Sequence, residues 1–258
     1  LKQPELQIKL LPEAKPFKHR PYRASPKQRE IIDKQVDELL KAGIIEPCSG
    51  NYSSPVVLVD KHDDTGKVTS QRLCIDLRQL NSQIQDNNYP MPLISDFFDS
   101  LGGARYFSVI DCAQGYHQIK VAEDSRDLTA FVTHSGLWRY ARMPFGIKIA
   151  PAFFTAILND LFRKLLYKGV IIYIDDILIY STSVSRHFEL LQEVFNILRK
   201  ANLKIKTSKC KFAVEKVKYL GFVISAEGLQ CDPVKLKVGV VIDPFRLLVP
   251  ALRHPFPL

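Results

Sequence analysis

Short apolar runs separated by polar turns dominate the chain, and this pattern predicts β-strands. Residues 56–59 and 72–75 lie on either side of a polar turn at 63–66, which is typical of a β-hairpin. The apolar runs at 170–174 and 177–180 predict a second hairpin. Further short strands are predicted at residues 106–110, 117–121, 128–133, 137–141, 203–206 and 219–224.

Other segments have the apolar spacing of helices. Ser25, Pro26 and Gln28 form the pattern of a capping box with proline at the first helical position, so a helix is predicted to begin there. A second helix is predicted from residue 150 to about 166, and a third from about 185 to 201. Strands and helices do not alternate strictly, which favours an α+β fold over a doubly wound sheet.

The composition is that of a globular, basic protein. Hydrophobic residues make up 46% of the chain and charged residues 24%, which excludes a disordered chain. The apolar run at 170–174 is too short to cross a bilayer, so no membrane association is expected. The net charge of +9 favours a polyanionic partner, although many basic proteins bind no nucleic acid.

Cysteine usage indicates the redox environment. The five cysteines are odd in number, widely spaced and without a C-x-x-C pair. They fit neither a disulfide scaffold nor a structural zinc site. We therefore expect a reducing, intracellular setting.

Three carboxylates have unusual surroundings. Asp175 and Asp176 are adjacent between two apolar runs, where two like charges repel each other unless a cation neutralises them. A solvated hairpin tip is the alternative interpretation. Asp111 ends the apolar run 106–110, where an aspartate often serves only as a cap or turn former. Together, the three carboxylates suggest one edge of a sheet that can hold two hard divalent cations.

Seven segments, in order along the chain, resemble those of a known polymerase family. Tyr173-Ile174-Asp175-Asp176 resembles the Y-x-D-D motif of reverse transcriptases. Segment 107–119 resembles the first catalytic motif of the gypsy-like LTR retrotransposon branch, and segment 143–152 resembles its third-motif helix start. The other matching segments are 72–81, 89–92, 208–210 and 219–225.

The resemblance implies a right-hand polymerase with fingers and a palm. The palm would be ferredoxin-like, with an antiparallel sheet and packed helices, and the thumb would be mostly missing. The implied domains are an extended surface lead-in at 1–24, fingers at 25–104 with part of 118–150, a palm and primer-grip region at 105–230, and an atypical tail at 231–258.

The resemblance also implies roles for individual residues. Asp111, Asp175 and Asp176 would be the catalytic residues and would bind two Mg²⁺ ions, for which Mn²⁺ is an expected substitute. The implied dNTP-binding residues are Lys61, Arg72, Gln114, Gly115, Tyr116, Phe145 and Gly146. The implied primer contacts are Leu220, Gly221 and Phe222, with Lys209 as a candidate general acid.

Some of these residues have alternative interpretations. Arg72 could be a strand residue that pairs with Asp60 or Asp76. Tyr116 could exclude a ribose 2′-hydroxyl, or it could be an ordinary strand aromatic. The lysines at 204, 206, 209, 211, 216 and 218 could contact phosphate, although for most of them we favour solvation of an edge strand.

The sequence departs from the family pattern at three places. Ile149 stands where the family commonly has Asn, and its β-branched side chain is expected to disturb the start of the following helix. Segment 65–71 is longer than the usual link into the strand of Arg72. The residues after Lys237 match no segment of the family.

The expected function is RNA- and DNA-directed DNA synthesis from dNTPs on a primed template. RNase H and integrase parts of a polyprotein are further expected partners, in the cytoplasm or a virus-like particle. Two alternatives stay open at this point. One is a catalytically inactive, nucleic-acid-binding remnant of a retroelement polymerase, and the other is a different nucleotidyltransferase on the same palm.

Overall fold

The computed structural model describes residues 4–62, 66–90, 97 and 99–231. The helices described in full are α1 Pro26–Lys41, α2 Arg78–Gln83, α3 Glu123–Arg126, α4 Ala150–Leu161 and α5 Val184–Lys200. The strands are β1 Ile45–Pro47, β2 Ser54–His62, β3 Val68–Ile75, β4 Tyr106–Asp111, β5 Phe131–Thr133, β6 Gly136–Tyr140, β7 Val170–Tyr173, β8 Asp176–Ser181, β9 Lys211–Val214, β10 Lys216–Tyr219, β11 Phe222–Ser225 and β12 Gly228–Cys231.

The central sheet carries the candidate carboxylates. Its strand order is β7-β8-β4-β9, and each neighbouring pair is antiparallel. Strands β4 and β8 are apolar and buried over most of their length because they lie between neighbouring strands and packed helices. The mixture of antiparallel sheets and separate helices confirms the predicted α+β class.

A second sheet, in the order β1-β6-β5-β2-β3, includes the predicted hairpin of β2 and β3. Helix α1 packs against it, with Ile32 and Val36 in one cluster with Val56 and Phe131. The predicted capping box is present at the start of α1: Ser25 Oγ accepts from Gln28 N at 3.3 Å, and Gln28 Oε1 accepts from Ser25 N at 2.9 Å.

Several sequence-based boundaries are wrong. The segment 117–121 is not a strand, because residues Gly115–Gln118 form a 3₁₀ helix. A 3₁₀ turn also replaces the start of the strand predicted at 128–133, and only Phe131–Thr133 forms a strand. Helix α4 ends at Leu161, five residues before its predicted end.

The end of the described chain also differs from its prediction. The segment 203–206 forms a single bridge, between Ile205 and Cys112. The strand predicted at 219–224 is two strands, β10 and β11, separated by a turn at Leu220 and Gly221. Alternation of apolar residues cannot reveal this turn because its first residue is itself apolar.

The N-terminal segment, predicted to lie on the surface, is mostly exposed but is bound to the core by three buried apolar residues. Leu6, Ile8 and Phe17 are buried in the largest apolar cluster among the described residues. Leu6 N donates to Lys120 O at 2.8 Å, which ties the segment to the residues after the 3₁₀ helix. The apolar side chains of this segment therefore bind it to the core.

The remaining departures have mixed outcomes. Helix α4 begins at Ala150 as predicted, although Ile149 occupies the N-cap position without a side-chain hydrogen bond. Ile149 is itself buried, so packing replaces the polar cap. Residues 63–65 of the long hairpin turn and residues 232–258, which include the unmatched residues after Lys237, lie outside the described residues.

Candidate active site

Asp111 and Asp176 are direct partners on neighbouring antiparallel strands. Asp111 is the last residue of β4, and Asp176 is the first residue of β8. Side chains at directly opposed positions have Cβ atoms about 4.5–5.5 Å apart. Asp175 is the second residue of the two-residue turn that joins β7 to β8, and it directly precedes Asp176. The predicted convergence of carboxylates at one sheet edge is therefore present.

The turn that carries Asp175 has an unfavourable backbone conformation. Ile174 has a φ of +57°, in the left-handed region that β-branched residues rarely adopt. Thr155 on α4 donates to Pro151 O at 2.8 Å, and its Oγ1 lies 3.5 Å from Ile174 O. Such strain, of about 1–3 kcal/mol, persists only where the surroundings hold the chain, and it concentrates at functional sites.

The electrostatic setting of the two turn carboxylates opposes ionisation. Burial, and then the charges of Asp175 and Asp111, raise the pKa of Asp176 to about 6. Burial, with the charge of Asp111, also raises the pKa of Asp175. These directions are those expected for acidic groups that share a partly desolvated site. Added positive charge at this edge would relieve the repulsion.

Lys209 supplies one positive charge at this edge. Its Nζ donates to Asp111 Oδ2 at 3.0 Å. Its positive charge partly offsets the rise in the pKa of Asp175 and of Asp176. The ammonium group is more than half exposed, so solvent screens the ion pair. The predicted role of Lys209 as a general acid stays a prediction.

The donor chemistry of this edge suits a divalent cation. Asp111, Asp175 and Asp176 all offer carboxylate oxygens, which Mg²⁺ and Mn²⁺ prefer as ligands. Within the described part of the chain, no three acidic, histidine or cysteine side chains are close enough to form a ready-made metal cluster. The three carboxylates thus lie at the same end of β4 and β8 without being drawn together as metal ligands.

The sequence and the fold have counterparts in known proteins. Residues 59–224 match the family model described as reverse transcriptase (RNA-dependent DNA polymerase). The chain belongs to the reverse transcriptase family. This confirms the resemblance drawn from the seven sequence segments.

Relatives of this reverse transcriptase chain are retrotransposon polyproteins. The retrovirus-related Pol polyproteins from transposons 297 and gypsy of Drosophila melanogaster are 39% and 37% identical over 209 residues, which cover 81% of this chain. The transposon Tf2-7 polyprotein of Schizosaccharomyces pombe is 32% identical over 224 residues, 87% of this chain. The matched segments cover 20%, 20% and 16% of these relatives, so the chain spans about a fifth of their length or less.

Solved structures of viral reverse transcriptases have the same fold. The foamy viral protease-reverse transcriptase in complex with an RNA/DNA hybrid has a TM-score of 0.81 and 27% identity, covering 94% of this chain and 32% of that chain. Its dRH form in complex with double-stranded DNA has a TM-score of 0.81 and 28% identity, covering 94% of this chain and 42% of that chain.

Gln114 and Gly115, which are predicted to face the dNTP phosphates, lie in the turn that follows Asp111. Gln114 is left-handed, with a φ of 48° and a ψ of 51°, and it precedes the 3₁₀ helix. A Cβ at Gly115 would lie 3.0 Å from Phe154 Cζ and 3.3 Å from Cys112 Cβ, so a larger residue here would be tightly packed against these neighbours.

Tyr116 belongs to an aromatic cluster beside the carboxylates. Its ring centroid lies 5.1 Å from that of Phe145 and 5.6 Å from that of Phe154. Burial, and then the charge of Asp175, raise the pKa of its phenol. Tyr116 lies in the 3₁₀ helix, so the alternative of a strand aromatic is wrong. Its role in excluding a 2′-hydroxyl stays a prediction.

The second loop of the predicted nucleotide site includes Phe145 and Gly146. Phe145 is 50% exposed, and Gly146 has a φ of +88°, which a side chain would strain. The Asn81 amide holds this loop, donating to Gly146 O at 2.8 Å and accepting from Lys148 N at 2.9 Å. The sequence analysis did not identify this role of Asn81, since no local pattern marks the distant loop as its partner.

Lys61 and Arg72 share one face of the fingers hairpin. Arg72 is opposite Val59, and Lys61 lies two residues beyond Val59 on the same strand. Residues two apart on a strand point to the same face of the sheet. Both cationic side chains are exposed, so this face offers paired positive charge to solvent.

The carboxylates proposed as alternative partners of Arg72 are bonded elsewhere. Asp60 accepts from Gln71 Nε2 at 2.8 Å, and Asp76 pairs with Arg78 at 2.7 Å. The alternative of a purely structural ion pair for Arg72 is therefore not favoured. Nucleotide binding by Arg72 stays a prediction.

The predicted primer contacts form a tight turn close to the carboxylates. Leu220 and Gly221 have φ values of 51° and 84°, and Phe222 begins the next strand. Tyr219, which precedes the turn, is buried, and its hydroxyl donates to Asp176 O at 3.4 Å. The sequence analysis missed this link between the two hairpins because it spans 43 residues.

The lysines around this hairpin are solvated. Those at 204, 206, 209, 211, 216 and 218 are all exposed. Exposure is compatible with both interpretations of these lysines, so solvation of an edge strand stays a prediction for most of them.

None of the helices described in full has both the length and the apolar character needed to span a bilayer.

Proposed function

We propose that this chain catalyses template-directed DNA synthesis, transferring a nucleotide from a dNTP to a primer 3′-hydroxyl with two divalent ions. The observation that carries the proposal is the pairing of Asp111 with Asp176, beside Asp175 in a strained turn. Family membership supports RNA-directed polymerisation as the reaction.

The chain's own residues would hold the reacting groups in place. Asp111, Asp175 and Asp176 would bind Mg²⁺, and when bound the ions would activate the primer hydroxyl and neutralise charge on the triphosphate. The backbone at Gln114 and Gly115 would face the phosphates, while the Tyr116 ring would lie beneath the sugar. The protein would thus contribute mainly placement and electrostatics.

The substrate of the proposed reaction is a primed RNA or DNA template. The related foamy viral enzyme has been solved with an RNA/DNA hybrid and with double-stranded DNA, which supports this choice. The net charge of +9 favours binding to such polyanions. Arg72 and Lys61 would provide donors for the incoming triphosphate.

We further propose that the chain works beside RNase H and integrase parts of a polyprotein. The relatives are polyproteins of which the matched segments are about a fifth or less, which supports this setting. An intracellular location, in the cytoplasm or in a virus-like particle, agrees with cysteines that fit no disulfide scaffold.

Mg²⁺-dependent primer extension on poly(rA)–oligo(dT) tests the proposal. We expect Asp111→Asn and Asp175→Asn each to reduce the rate about 10³-fold or more, because loss of a metal ligand costs several kcal/mol at the transition state. Binding of the primed template should persist. The control is Asp160→Asn, which removes an exposed carboxylate paired with Arg163 and should leave the rate unchanged.

A folded wild type that binds the template in a salt-sensitive manner but extends no primer would contradict the proposal. That outcome would favour the catalytically inactive nucleic-acid-binding remnant. Extension from ribonucleotides in preference to deoxynucleotides would favour a different nucleotidyltransferase.

A further inference from the structure

Gln118 lies at a junction of backbone segments beside the candidate active site. Its Nε2 donates to Ala113 O and to Lys204 O, both at 2.8 Å. Its Oε1 accepts from the Lys204 N–H at 2.7 Å. Ala113 N donates to Lys204 O at 2.9 Å between the same segments. A single side chain thus makes three hydrogen bonds, all to backbone groups.

The pattern of donors and acceptors at this junction is specific for an amide. Two carbonyl oxygens face the two N–H donors of Nε2, and one backbone N–H faces Oε1. A carboxylate at position 118 would direct oxygen lone pairs at both carbonyls. An apolar side chain of equal length would provide none of the three bonds.

Each segment at the junction carries predicted site residues. Ala113 follows Asp111 at the end of β4, and Gln118 ends the 3₁₀ helix that contains Tyr116. Lys204 begins the segment that leads to Lys209. The third segment is also bound to the first, since Lys206 N donates to Asp111 O at 2.9 Å. The Gln118 amide therefore lies where the carboxylate strand, the nucleotide-facing turn and the Lys209 segment meet.

We propose that Gln118 is a positioning residue for nucleotide incorporation. Its amide fixes the turn that carries Gly115 and Tyr116 relative to Asp111 and Lys209. It acts through the backbone of these segments and donates nothing to the reacting atoms. The inference rests on the proposed function, because the groups it positions are those assigned to dNTP binding and phosphoryl transfer. A misplacement of about 1 Å at such a site can cost about 100-fold in rate.

The test compares two substitutions that keep the length of the side chain. Gln118→Glu keeps one acceptor but replaces the donors, and Gln118→Met removes all three hydrogen bonds. The matched controls are Gln85→Glu and Gln85→Met, because Gln85 Nε2 also donates to a backbone carbonyl, that of Leu10, at 2.8 Å. Single-nucleotide incorporation, template affinity and thermal unfolding are measured for each purified chain.

We expect both Gln118 variants to fold and to bind the primed template with unchanged affinity. Their kcat/KM for the dNTP should fall about 10- to 100-fold, with KM raised and kcat lowered, while both Gln85 variants match the wild type. Hydrogen exchange should show loss of protection at the Ala113 and Lys204 amides in Gln118→Met. This second readout does not depend on catalysis.

Three outcomes would overturn the inference. The first is full activity in both folded Gln118 variants. The second is loss of template binding in parallel with loss of incorporation, which would indicate a general structural role. The third is unchanged exchange at Ala113 and Lys204. A wild type that extends no primer would instead refute the proposed function, and the exchange measurement would still decide whether Gln118 holds the junction.

Discussion

The same two strands, β4 and β8, carry two polar clusters of opposite character. Toward one end, Ser108 on β4 and Ser181 on β8 contact the ring of His187 on α5. At the other end, Asp111 on β4 is opposite Asp176 on β8. The first cluster is neutral and fully bonded, and the second is charged and repulsive.

The histidine cluster forms a continuous chain of hydrogen bonds. Ala213 N donates to Ser108 Oγ at 2.9 Å, and Ser108 Oγ lies 2.7 Å from His187 Nε2. His187 Nδ1 lies 3.0 Å from Ser181 Oγ, which donates to Ser183 O at 3.0 Å. Every polar group is satisfied when His187 is neutral with its proton on Nδ1.

The contrast separates a structural polar cluster from a functional one. His187 is 1% exposed and joins β4, β8 and β9 to α5, as a buried network does when all its groups are bonded. The carboxylates remain partly exposed, and the turn between them is strained. Mutually repelling carboxylates beside a strained turn are typical of functional sites, whereas a fully bonded cluster is typical of a structural one.

The largest expected effect comes from breaking the bonded cluster. We expect His187→Leu to lower the free energy of unfolding by about 2–4 kcal/mol, because it leaves two buried serine hydroxyls without their shared partner. The melting temperature should fall by about 4–16 °C for a domain of this size. The control is His134→Leu, which removes an exposed histidine that contacts Asp33 and should cost under about 1 kcal/mol.

Acidification should reveal the same cluster in the wild type. Burial lowers the pKa of His187 below its ordinary value of 6.5, so the folded state favours the neutral ring. Its contribution to stability is complete above pH 6.5 and is lost as the pH falls and the unfolded chain takes up the proton. The stability gap between wild type and His187→Leu should therefore narrow from pH 7 to pH 5, and a constant gap would contradict this assignment.

At the carboxylate cluster, the pH dependence of the free energy of unfolding should have the opposite sign. The raised pKa of Asp176, about 6 against an ordinary 3.8, means that its contribution to stability is present below pH 3.8 and lost as the pH rises through 6. We expect Asp176→Asn to stabilise the metal-free protein at neutral pH by on the order of 1 kcal/mol after allowance for solvent screening. That corresponds to about 2–4 °C in melting temperature.

Melting curves in EDTA at several pH values test this sign. The advantage of Asp176→Asn should vanish toward pH 4, and added Mg²⁺ should raise the melting temperature of the wild type more than that of the variant. Asp160→Asn, at an exposed ion pair, should show neither behaviour. A variant less stable than the wild type at every pH would mean that Asp176 stabilises the fold.

Sequence reasoning succeeded where the physical signal is local. The capping box at Ser25 needs only residues three apart, and the Asp175 hairpin needs only two flanking apolar runs. It failed at 117–121, because the left-handed Gln114 starts a 3₁₀ helix over Gly115–Gln118 that the alternation of residues does not reveal. Lys204, one of the two residues bonded to the Gln118 amide, lies 86 residues away, and no local pattern encodes such a contact.

The smallest expected effect tests the strain in the carboxylate turn. Ile174→Gly and Ile174→Ala both remove the large side chain, so their difference isolates the backbone at φ +57°. We expect the glycine variant to be more stable by about 0.5–1 kcal/mol, because the left-handed penalty for alanine exceeds the entropy cost of glycine.

The same pair of substitutions at Lys34, an exposed position inside α1, should show the reverse order by about 1 kcal/mol, since helices favour alanine. If the alanine variant is the more stable one at both positions, Ile174 stores no strain. If the order reverses and the more stable glycine variant is nevertheless the slower polymerase, then the left-handed isoleucine serves to hold Asp175 beside Asp111. The strain would then be part of the site, as the contrast between the two ends of β4 and β8 implies.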